Sequence, residues 1–254
     1  MNTALTIAGS DPSGGAGIQA DLKVFHHFGV YGFSALSAVT AQNTFKVSAI
    51  ERIEGPVLFE QLTTLLSDMR PDALKTGMLL SADAVRFVAK AVTSYSLQNL
   101  VVDPVILSST GASLLEKKAA EAMKEELFPL AKAITPNIVE ASTLTGIPVS
   151  DERTMEEAAI ALKQFGPEVV IITGGHLEKE TLELIYDGTT FHKLWGRKIA
   201  GEYHGTGCAF SAAITALLAK GTSLIDAATE AKAFVASAIE SSLALGKGMR
   251  LLNI

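Results

Sequence analysis

The chain has 254 residues, of which 48% are hydrophobic, and this is enough to bury the core of one large domain. Only 19% of the residues are charged and the formal net charge is −6, which argues against nucleic acid as a partner. The single cysteine excludes an internal disulfide, and no stretch has the pattern of a signal peptide or of a membrane helix, so we expect a cytoplasmic protein without a membrane contact.

Strand-like and helix-like segments alternate along the whole chain. The predicted strands are Ala4–Ala8, Ser34–Thr40, Val47–Ile53, Ala73–Thr76, Asn99–Val105, Ala133–Thr135, Val169–Thr173, Thr181–Tyr186 and Thr190–Leu194. The predicted helices are Ala16–Phe28, Pro56–Met69, Ala82–Ser94, Leu114–Leu127, Ile138–Leu144, Met155–Phe165, Cys208–Ala219 and Ile225–Leu245. This alternation predicts βαβ crossovers and a mostly parallel sheet with helices on both faces. Because no linker or repeat interrupts it, we expect one domain over residues 1–254.

The stretch Tyr203–Ala213 places two glycines and a threonine at the start of an apolar helix. Glycines let the backbone turn tightly there, and the first N–H groups of a helix have no internal partners, so this helix mouth predicts an anion site. The alternative is a tight turn that caps the helix and buries a small cysteine. A helix N-terminus lowers the pKa of a thiol such as Cys208 and a nearby phosphate raises it, so the sequence leaves the direction open.

Glycine-rich or polar segments also follow other predicted strands. In open parallel sheets, ligands bind where the carboxyl ends of the strands meet, so we expect these segments to form one crevice with the helix mouth. The segments are Gly9–Gly17, Lys75–Gly77, Asp103–Pro104, Thr135–Asn137 and Gly174–Gly175. The first of them matches neither the dinucleotide-binding fingerprint nor the P-loop, and by itself it indicates only a close approach of the backbone to a ligand or another strand.

Three acidic or amide residues after these strands are candidates for metal and phosphate binding. Asp103 at a strand end can hold Mg²⁺, which takes one or two carboxylates together with substrate phosphates and water. Asn137 and Glu140 have helical spacing and can reach metal-bound water from one helix face. The alternative for this pair is an N-cap with a first-turn charge.

Three further residues are candidates for the wall of the crevice. Gln42 interrupts an apolar strand end, and a buried amide can bind a heteroaromatic ring through both its oxygen and its nitrogen. Asp21 can point back toward the crevice from the first helix. Their alternatives are a loop amide bonded to backbone and a solvated helix carboxylate. Met78 is either a core residue or part of the pocket.

The segment Thr6–Lys23 resembles the N-terminal signature of the hydroxymethylpyrimidine and phosphomethylpyrimidine kinases of thiamine biosynthesis, which belong to the ribokinase-like superfamily. Further segments match this family in order and spacing, so that the resemblance covers nearly the whole chain, up to about Leu245. These segments are Thr40–Thr44, Lys75–Met78, Val102–Val105, Thr135–Asn137 with Glu140-Ala141, Gly174–His176 and His204–Cys208. Each motif is modest evidence, and together they are highly specific.

The resemblance implies a three-layer αβα sandwich with a mostly parallel central sheet. It also implies ATP-dependent phosphoryl transfer, with Mg²⁺, to 4-amino-5-hydroxymethyl-2-methylpyrimidine and then to its monophosphate. By similarity, Gln42 pairs with the pyrimidine edge, and Gly9, Asp21 and Met78 line the ring pocket. The family is often dimeric, so the resemblance also implies a homodimer.

The same resemblance assigns the phosphate side of the site. It implies that Gly205, Thr206 and Gly207 form the anion hole for the transferring phosphoryl group. Cys208 stands where sugar kinases of the superfamily carry a catalytic aspartate. Asp103 and Glu140 would hold Mg²⁺. Together with Asn137 and Thr173, these two carboxylates would organise the ATP phosphates.

The chain departs from the family pattern at Ser109 and Thr173, where the family has lysines, and in its tail, Lys247–Ile254. Each lost cation would cost about 1–3 kcal/mol if it made a charge-assisted bond to phosphate, and the second phosphorylation carries more negative charge. Threonine at position 173 also occurs in related pyridoxal kinases, which are the alternative enzyme, whereas Gln42–Thr44 favours a pyrimidine. A pyrimidine-binding module with poor catalysis is the non-enzyme alternative.

Overall fold

The computed structural model of the protein describes residues 1–106, 115–175 and 180–254. Its strands are β1 (Thr3–Ser10), β2 (Tyr31–Gln42), β3 (Val47–Arg52), β4 (Ala73–Thr76), β5 (Leu100–Val102), β6 (Ala133–Ile134), β7 (Val169–Thr173), β8 (Glu180–Tyr186), β9 (Phe191–Arg197), β10 (Tyr203–His204) and β11 (Arg250–Leu251). Its α-helices are α1 (Gly17–His27), α2 (Gly55–Leu66), α3 (Ala82–Ser94), α4 (Lys117–Ala122), α5 (Ile138–Thr145), α6 (Glu152–Lys163), α7 (Thr206–Ala219) and α8 (Leu224–Glu240). A π-helical turn, Met123–Leu127, and a 3-10 turn, Phe128–Leu130, continue α4.

Nine of the described strands form one sheet in the order β3-β2-β1-β4-β5-β6-β7-β8-β9. The strands from β2 to β7 are parallel, whereas β3, β8 and β9 are antiparallel to their neighbours. One hydrophobic core packs α2 to α6 against one face, and a second core packs α1, α7 and α8 against the other. The predicted three-layer αβα sandwich with a mostly parallel sheet is therefore confirmed.

Most differences between predicted and observed elements lie at their ends. Helix α6 begins before the predicted Met155, because the Asp151 side chain accepts the N–H of Thr154 in a capping box. Helix α8 ends at Glu240 rather than at Leu245, because the chain then turns back to form β11 against β10. Strands β8 and β9, which lie on either side of Asp187-Gly188, pair antiparallel as a hairpin.

Two irregularities in the strand pairing lie at the carboxyl edge of the sheet. The β1–β2 register shifts between Ala8 and Gly9, and the β2–β3 register shifts between Ala41 and Gln42. Such bulges redirect the side chains that follow them and are common beside active sites. Gly9 and Gln42, both predicted to bind substrate, therefore leave the regular alternation of the sheet where the strands reach the crevice.

Candidate active site

Gly205 forms the mouth of α7 and adopts a left-handed conformation, with φ +84. A Cβ at this position would lie 1.7 Å from the carbonyl oxygen of Gly15, so only glycine fits the close approach of the two loops. No side chain caps α7, and the first intrahelical bond, from the N–H of Ala209 to the oxygen of Gly205, is 2.9 Å long. The N–H groups of Thr206 and Gly207 precede that bond, which leaves them open toward an anion.

A buried ion pair lies directly behind this mouth. Lys75, on the parallel strand β4, has no exposed surface, and its Nζ lies 2.6 Å from Asp21 Oδ1 and 4.0 Å from Asp103 Oδ2. The same Nζ lies 3.4 Å from the carbonyl oxygen of Cys208, in the first turn of α7. The lysine thus ties β4, α1 and the helix mouth together.

The charges around Lys75 decide its protonation and that of the thiol. Burial lowers the pKa of Lys75, but the negative groups around it, chiefly Asp21, raise that pKa more, so the amine is a cation. Burial is also the main cause that raises the pKa of Cys208, to about 12, although Lys75 opposes it. The surroundings of Cys208 in the folded chain therefore favour a thiol rather than a thiolate at neutral pH.

Asp103 and Glu140 form a second acidic group at the ends of β5 and β6. Ser211 donates to Asp103 Oδ2 at 2.9 Å, while Glu140 accepts the N–H groups of Ile106 at 3.1 Å and Asn137 at 2.9 Å. Burial and the charge of Asp103 raise the pKa of Glu140 to about 8. Burial also raises the pKa of Asp103, against the opposing charge of Lys75.

Asn137 is the N-cap of α5, which is the alternative given above for this residue. Its Oδ1 accepts the N–H groups of Val139 at 2.9 Å and Glu140 at 3.0 Å, and the bond from its own N–H to Glu140 completes a capping box. Thr173, the last residue of β7, bridges to Asn137 and donates its N–H to Pro136 at 2.9 Å. The four residues predicted to bind phosphate thus occupy the ends of three adjacent strands.

The acidic pair fits the predicted magnesium ion. Two buried carboxyl groups that raise each other's cost of ionisation are stabilised by a divalent cation, and carboxylate oxygen is the ligand that Mg²⁺ prefers. Within the described ranges, no cluster of three or more His, Cys, Asp or Glu side chains is able to enclose a metal ion. The remaining ligands would therefore be phosphate oxygens and water, which is how Mg²⁺ binds in many kinases.

Gln42 belongs to a network of polar side chains beside the mouth. Its Nε2 lies 3.0 Å from His204 Nε2, and His204 Nε2 lies 2.8 Å from Asp11 Oδ2. Burial raises the pKa of Asp11, but hydrogen bonds from His204 and Ser13 lower it more, so this carboxyl group is ionised at neutral pH. The network joins the first glycine-rich loop to the residue before Gly205.

The structure also places the other predicted pocket residues. Gly9 and Met78 are in contact, since a Cβ on Gly9 would lie 2.3 Å from Met78 Cε. Asp21 is fully buried and accepts from Thr6 Oγ1 at 2.6 Å in addition to Lys75, so the solvated alternative is wrong. Its contact with a substrate ring stays a prediction. Ser109 and His176 lie outside the described residues.

Sequence reasoning missed three buried residues of this site, namely Lys75, Asp11 and His204. A lysine inside an apolar strand of a parallel sheet is itself a signal, because such a strand is buried on both faces and the cation needs an acidic partner. Asp11 and His204 lie within segments that were identified, but no role was assigned to either residue, because their pairing spans 193 residues and has no local pattern.

The fold and the site together define a class of protein, a kinase with the ribokinase-like fold. A family model described as phosphomethylpyrimidine kinase matches residues 11–253. The chain is 44% identical to the hydroxymethylpyrimidine/phosphomethylpyrimidine kinase of Bacillus subtilis, with 96% of this chain and 92% of that protein covered. It is also 44% identical to the thiamine biosynthesis bifunctional protein of Geobacter sulfurreducens, where 98% of this chain matches 51% of the relative, so it spans about half of that protein.

Solved structures give the same result. The pyridoxal kinase of Staphylococcus aureus in complex with AMP-PCP and pyridoxal has a TM-score of 0.92 and 38% identity, and the match covers 100% of this chain and 93% of that one. The phosphomethylpyrimidine kinase of Clostridium difficile has a TM-score of 0.84 and 38% identity over 94% of this chain and 100% of that one. The protein belongs to the phosphomethylpyrimidine kinase family. The predicted family, fold and enzyme class, a phosphotransferase, are confirmed.

Proposed function

We propose that the chain, acting as one domain, transfers the γ-phosphoryl group of ATP to the hydroxymethyl group of 4-amino-5-hydroxymethyl-2-methylpyrimidine, and then to the resulting monophosphate. The observation that carries this proposal is the uncapped mouth of α7 at Gly205, at the same edge of the sheet as Gln42 and the Asp103–Glu140 pair. Phosphoryl transfer depends mainly on positioning and charge neutralisation, and this crevice supplies both.

The pyrimidine side of the proposed site consists of Gln42, Gly9 and Met78. The Gln42 amide offers an acceptor to the exocyclic amino group and a donor to the adjacent ring nitrogen. Met78 lies against Gly9, where any larger residue would displace it. A flat ring held between this apolar surface and the amide would direct its hydroxymethyl group to the helix mouth.

The helix mouth would stabilise the charge of the transferring group. The N–H groups of Thr206 and Gly207 and the helix dipole favour negative charge at this point. Cys208 follows them in the first turn and carries its proton at neutral pH, because its pKa is raised to about 12. We therefore assign Cys208 to orienting the substrate hydroxyl group rather than to removing its proton. In a loose transition state, the hydroxyl group does not need to lose its proton before the phosphoryl group is transferred.

The nucleotide side would use the acidic pair. Asp103 and Glu140 would hold Mg²⁺, with Asn137 and Thr173 beside the ATP phosphates. When bound, the ion would neutralise charge on the phosphate oxygens. The first phosphorylation needs less compensation of negative charge than the second, so the missing lysines at Ser109 and Thr173 affect the second step more.

Pyridoxal is the second candidate acceptor, and one observation favours it: pyridoxal kinases are among the structures most similar to this chain. Relatives named hydroxymethylpyrimidine/phosphomethylpyrimidine kinase reach 44% identity, above the 37–39% of the pyridoxal kinases, although the identities of relatives with that name extend down to 37%. Gln42, whose amide matches an aminopyrimidine edge, also supports the pyrimidine.

A product assay by mass spectrometry tests the proposal. The protein is incubated with Mg-ATP and, in separate reactions, with hydroxymethylpyrimidine, its monophosphate and pyridoxal. Turnover of the first two is expected. Turnover of pyridoxal alone would assign the chain to the second candidate, and pyrimidine binding without turnover would make it a binding module.

We also propose that the protein is a cytoplasmic homodimer. In the part of the chain that the structure describes, no helix is long and apolar enough to cross a membrane. The β2–β3 hairpin exposes apolar side chains, with Val39 in β2 45% exposed and Phe45 in the turn 50% exposed, and a second copy would cover them. Analytical ultracentrifugation is expected to show a dimer that Phe45→Lys dissociates; a monomeric wild type would contradict this.

A further inference from the structure

The end of the Gln42 side chain contacts two polar groups of the protein. Its Nε2 lies 3.0 Å from His204 Nε2, and its Oε1 lies 3.3 Å from Thr40 Oγ1. Thr40 Oγ1 in turn donates to the carbonyl oxygen of Ser10 at 2.9 Å. These contacts leave half of the hydrogen-bonding capacity of the amide for a ligand.

The position of the protons in this network follows from Asp11. Its Oδ2 accepts from the N–H of Ala16 at 2.9 Å and from Ser13 Oγ at 2.8 Å, and a carboxylate has no proton to give. His204 Nε2, 2.8 Å from the same oxygen, must therefore carry a hydrogen. A nitrogen that donates to Asp11 cannot at the same time accept a hydrogen bond from Gln42.

The group of Gln42 that faces His204 is therefore the amide oxygen, which shares the single Nε2 hydrogen with Asp11 Oδ2 in a three-centre bond. This requires the amide to turn by half a revolution about its terminal bond. The amide nitrogen then faces Thr40 and donates to its hydroxyl oxygen, whose own hydrogen is already directed to Ser10. Oxygen and nitrogen of a side-chain amide are assigned in this way, from the partners around them. With this assignment every donor in the chain from Thr40 to Asp11 meets an acceptor.

We infer that Asp11 and His204 are positioning residues that fix which end of the Gln42 amide accepts and which donates, and that they thereby set the preference of the site for a 4-amino ring over a 4-oxo ring. This inference rests on the proposed function. The remaining lone pair of the amide oxygen suits a ring amino group, and the remaining N–H suits an unprotonated ring nitrogen. A 4-oxo ring has an acceptor oxygen in place of the amino group and an N–H in place of the bare ring nitrogen. Acceptor would then face acceptor, and donor would face donor.

The C-terminal tail supports this arrangement from outside. Strand β11 pairs with β10 so that Leu251 lies opposite His204, and a Cβ on Gly15 would touch both side chains at 2.7 Å. The tail also bonds to Thr44 beyond Gln42, through the N–H of Met249 at 2.9 Å. His204 is thus held in a fixed place between the first loop and the tail.

Calorimetric binding of two compounds tests the inference without ATP. They are 4-amino-5-hydroxymethyl-2-methylpyrimidine and its 4-oxo counterpart, and the readout is the ratio of their dissociation constants. His204→Phe keeps a ring but removes the donor, so the amide can rotate, and the preference for the amino compound is expected to fall by at least about tenfold. His204→Gln places a donor at nearly the same distance and is expected to restore it.

Two more variants separate this role from a structural one. Thr40→Val keeps the side-chain shape and removes the hydroxyl, and it is expected to lower the same ratio even if His204→Phe does not fold. His26→Phe changes an exposed histidine and serves as the control. An unchanged ratio in a folded His204→Phe or Thr40→Val, or a wild type that binds both rings equally, would overturn the inference. A wild type that discriminates in binding but phosphorylates neither compound would refute only the proposed function.

Discussion

Replacing Lys75 with methionine removes the one cation that the buried carboxylates behind the helix mouth share in the described structure. Methionine has a similar length, so the change deletes charge with little change in volume. The side chain of Asp21 is 0% exposed and that of Asp103 is 7% exposed, so neither gains water as a substitute partner. Breaking a buried pair in this way costs about 3–5 kcal/mol of the free energy of unfolding.

Urea denaturation followed by circular dichroism measures this loss, with Lys193→Met as the matched control. Lys193 also pairs with two carboxylates, at 2.5 Å from Glu152 and 2.6 Å from Glu156, but its ion pairs are at the surface. Surface pairs of this kind contribute about 0–1 kcal/mol. A loss in Lys75→Met no larger than that in Lys193→Met would refute the view that Lys75 is the central charge of the site.

A double variant checks the partner assignment. Adding Asp21→Leu to Lys75→Met removes the charge that Lys75→Met leaves without a partner. The loss in the free energy of unfolding of the double variant is therefore expected to be smaller than the sum of the two single losses, by about 1–3 kcal/mol. Strict additivity would show that Lys75 and Asp21 do not stabilise each other.

Three further predictions concern the thiol and the amide. The rate at which Cys208, the only cysteine in the chain, is alkylated is proportional to the fraction present as thiolate. Because the pKa is raised to about 12, this rate should rise about tenfold per pH unit from pH 7 to 10. A plateau near pH 8 would contradict the raised pKa. Cys208→Ala should lower kcat by about 10–100-fold while the pyrimidine Kd changes little, and Cys208→Ser should recover most of the loss; unchanged turnover would remove Cys208 from the reaction. Gln42→Ala should raise the Kd for the pyrimidine by about 10–100-fold by calorimetry, and an unaltered Kd would place the ring elsewhere.

The sequence was most informative where a feature depends on neighbouring residues. The alternation of strand-like and helix-like segments predicted the order of strands and helices. The polar or glycine-rich segments that follow the strands, such as those at Asp103 and Gly174, predicted which edge of the sheet carries the crevice. The helix mouth at Gly205 was visible as glycines before an apolar run. Its close contact with Gly15 was not, because that contact joins two loops far apart in the chain.

The rest depends on contacts that no local pattern encodes. Strands β10 and β11 have two residues each, which is too short for a recognisable period, and their pairing brings the tail to His204. The direction of the pKa shift of Cys208 could not be predicted from its place at a helix N-terminus, because burial raises the pKa by more than Lys75 lowers it. Burial of a side chain is a property of the folded chain, and so is the pairing of Lys75 with Asp21.

The location of Lys75 also bears on how the site tolerates the two missing lysines. Its ammonium group is buried and already committed to Asp21 at 2.6 Å and to the Cys208 carbonyl at 3.4 Å, so it cannot swing out to replace a cation beside the ATP phosphates. Position 173 is a threonine at the end of β7 and supplies no charge there. On the proposed function, charge compensation is then expected from the helix mouth and from the divalent cation proposed on Asp103 and Glu140. Because the monophosphate acceptor brings more negative charge than hydroxymethylpyrimidine, the second phosphorylation should depend more steeply on Mg²⁺ than the first. Equal dependence would mean that another cation of the chain reaches the phosphates.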